Sequence, residues 1–381
     1  MNIQNGIIFG QDKKFHEGDI SVSGEIITSH SEDSESIDAS GLYIIPGLTD
    51  IHFHGANGHD FCDGTLEAFN AIHEYELEHG ITTICPATMT LPENELSCIM
   101  TEAKRFSEMC KNFAGVYLEG PFISPSKIGA QNPEYISRPD INMLMRLQND
   151  SGNMIRIAVV APEAEDAMKF IDEAKDIMRV SIAHTSCDYD TARKAFTNGA
   201  SQVTHLYNAM NPIKHREPGP IIAALENENV NVELICDGIH IHPAVVRSTI
   251  KAFGADRVIF ISDSMEAAGM PDGEYMLGGQ KVIKKGNKAT LKDGITIAGS
   301  VTNLMDCMRI AVRDMGVKLE DAVTCSAINP ARAIGIDSSL REGNIANLIA
   351  LDRDLNIKWI MNRGKIIFGG IHDSLSSSLN H

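Results

Sequence analysis

The side chains with the clearest chemical potential in this sequence stand at the ends of apolar segments. Residues 46–55 read PGLTDIHFHG, so an apolar run leaves a Pro-Gly turn and ends in His52 and His54. Side chains alternate between the faces of a strand, and these two imidazoles therefore project from the same side. Glu119, His184 and His205 end three later apolar segments. Imidazole and carboxylate groups suit Zn²⁺, Fe²⁺, Mn²⁺ or Co²⁺, so the pattern predicts a site for one or two divalent metal ions, with zinc favoured.

These ligands can be divided between two ions. Glu119, His184 and His205 could hold one ion with a position left open for water, and His52, His54 and a bridging Glu119 could hold a second. Such an ion activates water and polarises a carbonyl group. The alternative is that each residue is an ordinary polar side chain at a strand–loop junction. The number of strands that end in this way argues against it.

Asp263 ends the last apolar segment of the series and has no obvious cationic neighbour in the sequence. A carboxylate in this place could take the proton of an attacking water and pass it to the leaving group, which is general acid–base catalysis. The alternative is a loop aspartate held in an ion pair. We expect Asp263 to be the catalytic residue.

The elements that must position these residues are short apolar strands alternating with longer helical segments. Near-continuous apolar strands are typical of a parallel sheet that is buried on both faces. Eight are predicted, over residues 48–54, 81–87, 116–119, 155–161, 180–184, 202–205, 232–237 and 258–263. The α/β pattern favours a (β/α)8 TIM-like barrel, whose chemistry lies at the C-terminal strand ends, over a doubly wound open sheet.

Both ends of the chain read as β-structure, which predicts a small β-sandwich domain built from both termini. Its N-terminal part covers residues 1–46 and its C-terminal part residues 336–373. The barrel covers residues 47–335 and includes a Gly-rich excursion over about 269–299, which could return to the small sheet. Residues 374–381 read as a frayed tail.

The composition excludes several classes of partner. A net charge of −18 argues against nucleic acid and anionic membranes, although an anionic small molecule needs only a local basic pocket. Neither a membrane-spanning run nor a signal peptide is found. The eight cysteines are scattered singly, which predicts a cytoplasmic protein with reduced thiols.

Several motifs resemble the amidohydrolase superfamily and, within it, the family of N-acetylglucosamine-6-phosphate deacetylases. They are LEGPF at 118–122, HLYNAM at 205–210, DGIH at 237–240, SDSM at 262–265 and AGS at 298–300. The resemblance runs from Gly6 to about Gly369. It implies hydrolysis of the acetamide of a phosphorylated amino sugar, with metal at Glu119, His184 and His205 and with Asp263 as acid and base. The substrate-binding residues that it implies are Ala130, Gln131, Asn208, Ala209, Arg216, Asp237, Gly238, Ile239, His240, Ile297, Ala298 and Gly299.

The resemblance further implies a homodimer, because the family supplies the arginine that matches Arg216 from the neighbouring subunit. Two departures matter. Some such deacetylases lack the His-x-His pair that this chain has, and many carry histidine where this chain has Gln131. The fourth strand ends without lysine, which weighs against dihydroorotases and hydantoinases. The remaining alternatives are an enzyme for another N-acylated compound, such as N-acetylgalactosamine 6-phosphate, and a scaffold that has lost catalysis.

Overall fold

The chain begins with five short strands that share one sheet. The structure is a computed structural model and describes residues 1–30 and 35–369. The strands are β1 (Asn2–Phe9), β2 (Phe15–Ser23), β3 (Ile26–Thr28), β4 (Ser36–Asp38) and β5 (Tyr43–Pro46). β1 pairs antiparallel with β2 but parallel with β4 and β5. The sheet is therefore mixed and not purely antiparallel, because β4 and β5 run one after the other along the same edge of β1.

A series of parallel strands follows. It opens with β6 (Leu48–Asp50) and a hairpin of β7 (Gly55–Ala56) and β8 (His59–Asp60). The later members are β9 (Ile81–Ile84), β10 (Val116–Leu118), β11 (Ile155–Val160), β12 (Arg179–Ile182), β13 (Gln202–Val203), β14 (Asn231–Ile235) and β15 (Val258–Ile261). β6 pairs with β9, and β10 to β15 form a six-stranded parallel sheet in chain order. These strands are almost wholly buried, as parallel strands covered on both faces must be.

Helices lie between the parallel strands and cover them. They are α1 (Leu66–Glu78), α2 (Glu93–Met109), α3 (Ile141–Asp150), α4 (Ala167–Ala174), α5 (Tyr189–Asn198), α6 (Gly219–Glu226) and α7 (Pro243–Phe253). Side-chain caps mark several starts: Thr65 accepts a hydrogen bond from the Ala68 amide before α1, and Asp188 accepts one from the Thr191 amide before α5. Their apolar faces share one large core with the strands.

The Gly-rich excursion forms a sheet of its own and does not join the sheet of the chain ends. Its strands are β16 (Gly273–Leu277), β17 (Gln280–Lys285) and β18 (Lys288–Leu291), which pair antiparallel. The chain then forms α8 (Leu304–Arg313), α9 (Leu319–Val323) and α10 (Asn329–Ala333), with a π-helical turn at Thr324–Ile328 between the last two.

The last described strands complete the first sheet. They are β19 (Leu348–Leu351), β20 (Ile357–Asn362) and β21 (Lys365–Gly369), and β19 pairs antiparallel with β5. A separate apolar cluster draws on both ends of the chain, with Ile3, Ile44, Leu348 and Trp359 among its members. The predicted tail at 374–381 lies outside the described residues. Within residues 1–30 and 35–369, no helix combines the length and hydropathy that crossing a membrane requires.

Candidate metal and catalytic site

The side chains singled out at the strand ends converge on one buried centre. Glu119 follows β10, and its carboxylate lies among imidazoles that follow β6, β12 and β13. Its Oε1 atom is 3.0 Å from His205 Nε2, 3.2 Å from His184 Nε2 and 3.4 Å from His52 Nε2. Its Oε2 atom is 3.3 Å from His54 Nε2. One carboxylate therefore joins four imidazoles, with a separate oxygen toward His54.

The donor atoms fit divalent metal ions. Two groups each bring their ligand atoms within 4.8 Å of one another: His52, His54 and Glu119, and Glu119, His184 and His205. The Nε2 atoms of His184 and His205 lie 3.2 Å apart, a separation that suits two ligands of one ion. His52 Nε2 is buried without a hydrogen-bond partner. Since buried polar atoms are normally satisfied, these atoms fit one or two ions.

The outer ring nitrogens of two imidazoles are held by oxygen acceptors. His184 Nδ1 lies 2.8 Å from the Lys127 carbonyl oxygen, and His52 Nδ1 lies 3.0 Å from Glu233 Oε2. The Tyr117 ring stacks on His52 at a centroid distance of 4.4 Å. Donation by Nδ1 leaves the Nε2 lone pair free for a metal ion.

Backbone strain is concentrated in this centre. His184, His205 and Asp263 have φ values of 43°, 28° and 49°, in the left-handed region that residues other than glycine rarely adopt. Such conformations cost on the order of 1–3 kcal/mol each and persist only where the surroundings enforce them. Gly120 meets the same demand beside Glu119, with φ of 81° and no room for a Cβ atom, which would lie 2.1 Å from Thr90 Oγ1.

Asp263 lies against the His54 side of the centre. Its Oδ1 atom is 3.3 Å from His54 Nε2 and 3.8 Å from His52 Nε2. Burial opposes its ionisation, but the hydrogen bond with His54 and the charges of His52 and His54 outweigh burial and lower the pKa of Asp263. The cationic neighbours that could not be found in the local sequence thus come from the first parallel strand.

Protonation and metal binding compete at these groups. Burial opposes ionisation of Glu119, but the charge of His52 and the hydrogen bonds with His184 and His205 hold the pKa of Glu119 well below its ordinary value. Burial likewise opposes the charged form of His54, but its hydrogen bonds to Asp263 and Glu119 raise the pKa of His54 to about 10. An ion bound at His54 must displace a proton, so its affinity should rise with pH.

A cavity of about 330 Å³ opens above the centre. It is lined by the metal-ligand candidates other than His52, by Asp263 and by seven of the predicted substrate-binding residues: Ala130, Gln131, Asn208, Ala209, His240, Ile297 and Gly299. The other five, Arg216, Asp237, Gly238, Ile239 and Ala298, are not part of its described lining. Met89, Leu277, Ile295 and Thr296 also line it, and sequence reasoning missed them because they are apolar or come from the excursion.

Asp237 turns its carboxylate to the neighbouring backbone and to His240. Its Oδ1 atom accepts hydrogen bonds from the amides of Ile239 and His240, and its Oδ2 atom lies 2.7 Å from His240 Nδ1. Asp237 therefore fixes the orientation of the imidazole that reaches the cavity.

Gln131 contacts the metal-ligand candidate Glu119. The Thr90 amide donates to Gln131 Oε1 at 2.7 Å, which identifies the oxygen of this side-chain amide. Its Nε2 atom then donates to Glu119 Oε2 at 2.6 Å. Gln131 thus places a neutral donor against Glu119, at the position where the resemblance drawn from the sequence leads us to expect histidine.

The fold and this centre define an amidohydrolase. The family model "Amidohydrolase family" matches residues 43–367, and the chain belongs to this family. It is 34% identical over 335 residues to the N-acetylglucosamine-6-phosphate deacetylase of Bacillus subtilis, covering 85% of this chain and 84% of the relative. It is 33% identical to an N-acetylgalactosamine-6-phosphate deacetylase of Escherichia coli O157:H7 over 85% of this chain and 87% of the relative.

A solved structure agrees with these relatives. The aspartate-to-alanine mutant of N-acetyl-D-glucosamine-6-phosphate deacetylase from Mycobacterium smegmatis, in complex with N-acetyl-D-glucosamine 6-phosphate, superposes with a TM-score of 0.91. Sequence identity is 29%, and the match covers 96% of this chain and 98% of that one. These matches confirm the resemblance drawn from the motifs.

Proposed function

We propose that this chain hydrolyses the N-acetyl group of N-acetyl-D-glucosamine 6-phosphate to D-glucosamine 6-phosphate and acetate. The observation that carries the proposal is the placement of Glu119, His184, His205 and Asp263 around one cavity. Relatives that cover most of the chain share the activity in their names. Purified protein should release glucosamine 6-phosphate and acetate in equal amounts, and only in the presence of a divalent ion.

A second substrate follows from the E. coli relative, whose name specifies N-acetylgalactosamine 6-phosphate. The two sugars differ at one hydroxyl group, so a comparison of kcat/KM on both phosphates decides between them. The unphosphorylated sugars serve as controls for recognition of the phosphate.

The chemistry divides between the ion and the chain. Glu119, His184 and His205 would hold one ion and His52 and His54, with Glu119, a second, and zinc is the proposed metal, with iron, manganese and cobalt as alternatives. Such an ion polarises a carbonyl group and lowers the pKa of water. Asp263 takes a proton from the attacking water as the water oxygen bonds to the acetyl carbon. It then delivers a proton to the nitrogen as the C–N bond breaks, so that a neutral amine leaves.

We also propose that the eight parallel strands close into a (β/α)8 barrel. Hydrogen bonds between the ends of β6 and β15 support closure: the Asp263 amide donates to the His52 carbonyl at 2.9 Å, and the His54 amide to the Ser264 carbonyl at 2.7 Å.

We also propose that the chain divides into residues 1–46, 47–335 and 336–373, with the sheet of both ends as a small sandwich. The separate apolar cluster of that sheet supports it. Eight free cysteines support a cytoplasmic location.

Arg216 should bind the phosphate across a homodimer. Arg216 is exposed, and with Tyr189 and Asn211 it lines a cavity other than the one at the metal-ligand candidates. We therefore propose that it contacts the substrate bound to the second subunit. We expect Arg216→Ala to raise KM mainly for the phosphorylated sugar, because a phosphate dianion needs a cation in this acidic protein. Steady-state kinetics on phosphorylated and unphosphorylated sugar measure the effect.

Two controls sharpen this test. Lys214→Ala removes a cation from the same exposed segment, one already paired with Glu217 at 2.8 Å, and should change KM less. Mixing Arg216→Ala with Asp263→Asn subunits should restore activity, because each mixed dimer holds one intact site. Equal losses on both sugars, or no restoration, would contradict the assignment.

We infer that His240, whose side chain lines the cavity, helps to bind the phosphate and makes this binding depend on pH. Burial opposes its charged form, but the hydrogen bond and charge of Asp237 outweigh burial and raise the pKa of His240. The imidazolium is present below this raised pKa and is lost as pH rises through it. KM for the phosphorylated sugar should therefore increase at high pH.

Asp237→Asn tests the assignment, because it should lower the pKa of His240 and make the increase in KM begin at a lower pH. The unphosphorylated sugar, which carries no dianion, is the control. If both enzymes show the same pH dependence of KM, another group binds the phosphate.

A further inference from the structure

A buried carboxylate beneath the centre has no part in the function proposed so far. Glu233 lies in β14 with no exposed surface, between the apolar residues Val232 and Leu234. An isolated ionised carboxylate is costly to bury, and such groups are normally paired or hydrogen-bonded. Its partners show what this one does.

Glu233 is bonded to both halves of the centre. Its Oε2 atom lies 3.0 Å from His52 Nδ1 and accepts a hydrogen bond from the His205 backbone amide at 3.2 Å. Its Oε1 atom accepts a hydrogen bond from Gln202 Nε2. One carboxylate thus connects the side chain of one ligand candidate to the strained backbone of another.

The two contacts differ in what they control. The bond to the His205 amide supports a backbone position and needs only an oxygen acceptor. The contact with His52 bears on the ring itself: it leaves Nε2 with the free lone pair, and a carboxylate acceptor at Nδ1 makes the imidazole a stronger ligand for an ion. The charge of Glu233 therefore matters chiefly at His52.

We propose that Glu233 is a positioning residue that makes His52 a metal ligand and so sets the affinity for the second ion. The proposal rests on the metal-dependent function above. It does not depend on the identity of the sugar, since Glu233 acts on the protein's own imidazole. At His184, the Nδ1 atom instead faces the neutral carbonyl oxygen of Lys127. The two ion sites therefore differ in the group that accepts the Nδ1 hydrogen bond of a ligand histidine.

Glu233→Gln tests the charge with little change of shape. A glutamine can still accept from His52, and its amino group can donate to Gln202, whose Oε1 atom is buried without a partner and can turn toward it. We expect the variant to bind the first ion as the wild type does and the second about 10–100-fold more weakly. Titration of metal-free protein with Zn²⁺ against a chelator measures both affinities, and Co²⁺ absorption reports whether an imidazole joins the second ion.

Four further variants separate positioning from a general loss of stability. Glu76→Gln makes the same substitution at another fully buried carboxyl group, on α1, and should leave both affinities unchanged. His52→Asn alone should weaken the second ion, and adding Glu233→Gln to it should weaken the ion no further. Glu233→Asp keeps the charge and should retain part of the affinity that Glu233→Gln loses.

Binding is measured without substrate, so the result is separate from the sugar that the enzyme accepts. Binding of a single ion by the wild type, wild-type affinities in Glu233→Gln, or a further tenfold loss in the double variant would overturn the proposal. An equal loss of affinity for both ions would also overturn the proposal, since Glu233 would then support the fold as a whole and not His52 in particular.

Discussion

Replacing Asp263 with asparagine should lower kcat by about 10²–10⁴-fold while the protein keeps its metal and binds substrate. Amide hydrolysis must remove a proton from water and supply one to nitrogen, because an amide anion is too poor a leaving group. The Asp263 carboxylate lines the cavity, and asparagine cannot take a proton from the water and deliver it to the nitrogen. Steady-state kinetics and metal analysis of the same preparation make the measurement.

The variant should fold, because asparagine adopts the left-handed backbone of position 263 more readily than most residues. The lowered pKa of Asp263 predicts that its carboxylate is lost only as pH falls, so kcat/KM should fall on the acid side and this limb should change in Asp263→Asn. Loss of metal from Asp263→Asn would show that Asp263 acts primarily as a metal ligand. A loss of activity below tenfold would move the acid–base role elsewhere, with His240 the next residue to replace.

Glu119→Gln, His184→Asn and His205→Asn should each lose the tighter ion and nearly all activity. The three donor atoms lie within 3.2 Å of one another, so each replacement leaves only two ligands of this set. Elemental analysis after gel filtration, with turnover on the same samples, gives the result. Full metal content and turnover in any one variant would contradict its assignment.

His52→Asn and His54→Asn are the matched comparison, because they alter the same centre from the other side. They should lower the metal content while sparing part of the activity. If the wild type binds two ions and both variants still bind two, the assignment of His52 and His54 to a second metal site is wrong.

What could be predicted from the sequence was local. An apolar run followed by a histidine or carboxylate marks a strand end wherever it occurs, and parallel strands carry those ends to one edge. Glu119, His184, His205 and Asp263 could be found in this way without knowing how the strands pair. The motifs around these residues then indicated the family to which the chain belongs.

The features that could not be predicted from the sequence depend on contacts between distant segments of the chain. Glu233 stands out in the sequence only as a charge inside an apolar strand, and its role becomes visible once His52 lies against it. The contact between Gln131 and Glu119 also requires the Thr90 amide to orient the glutamine. Leu277 and Ile295 reach the cavity because the excursion folds as a separate sheet, which its glycines did not reveal.

The pairing of β5 with β19 has a consequence for the synthesis of this protein. Ile45 pairs in register with Ile349, so the first sheet remains incomplete until the far end of the chain has been made. At ~5–20 residues per second, translating the intervening segment takes on the order of 15–60 s. During that time the edge of β5 and its apolar side chains have no partner strand, which is the condition for aggregation. A chain truncated before β19 should therefore depend on chaperones even if every residue of the catalytic centre is present.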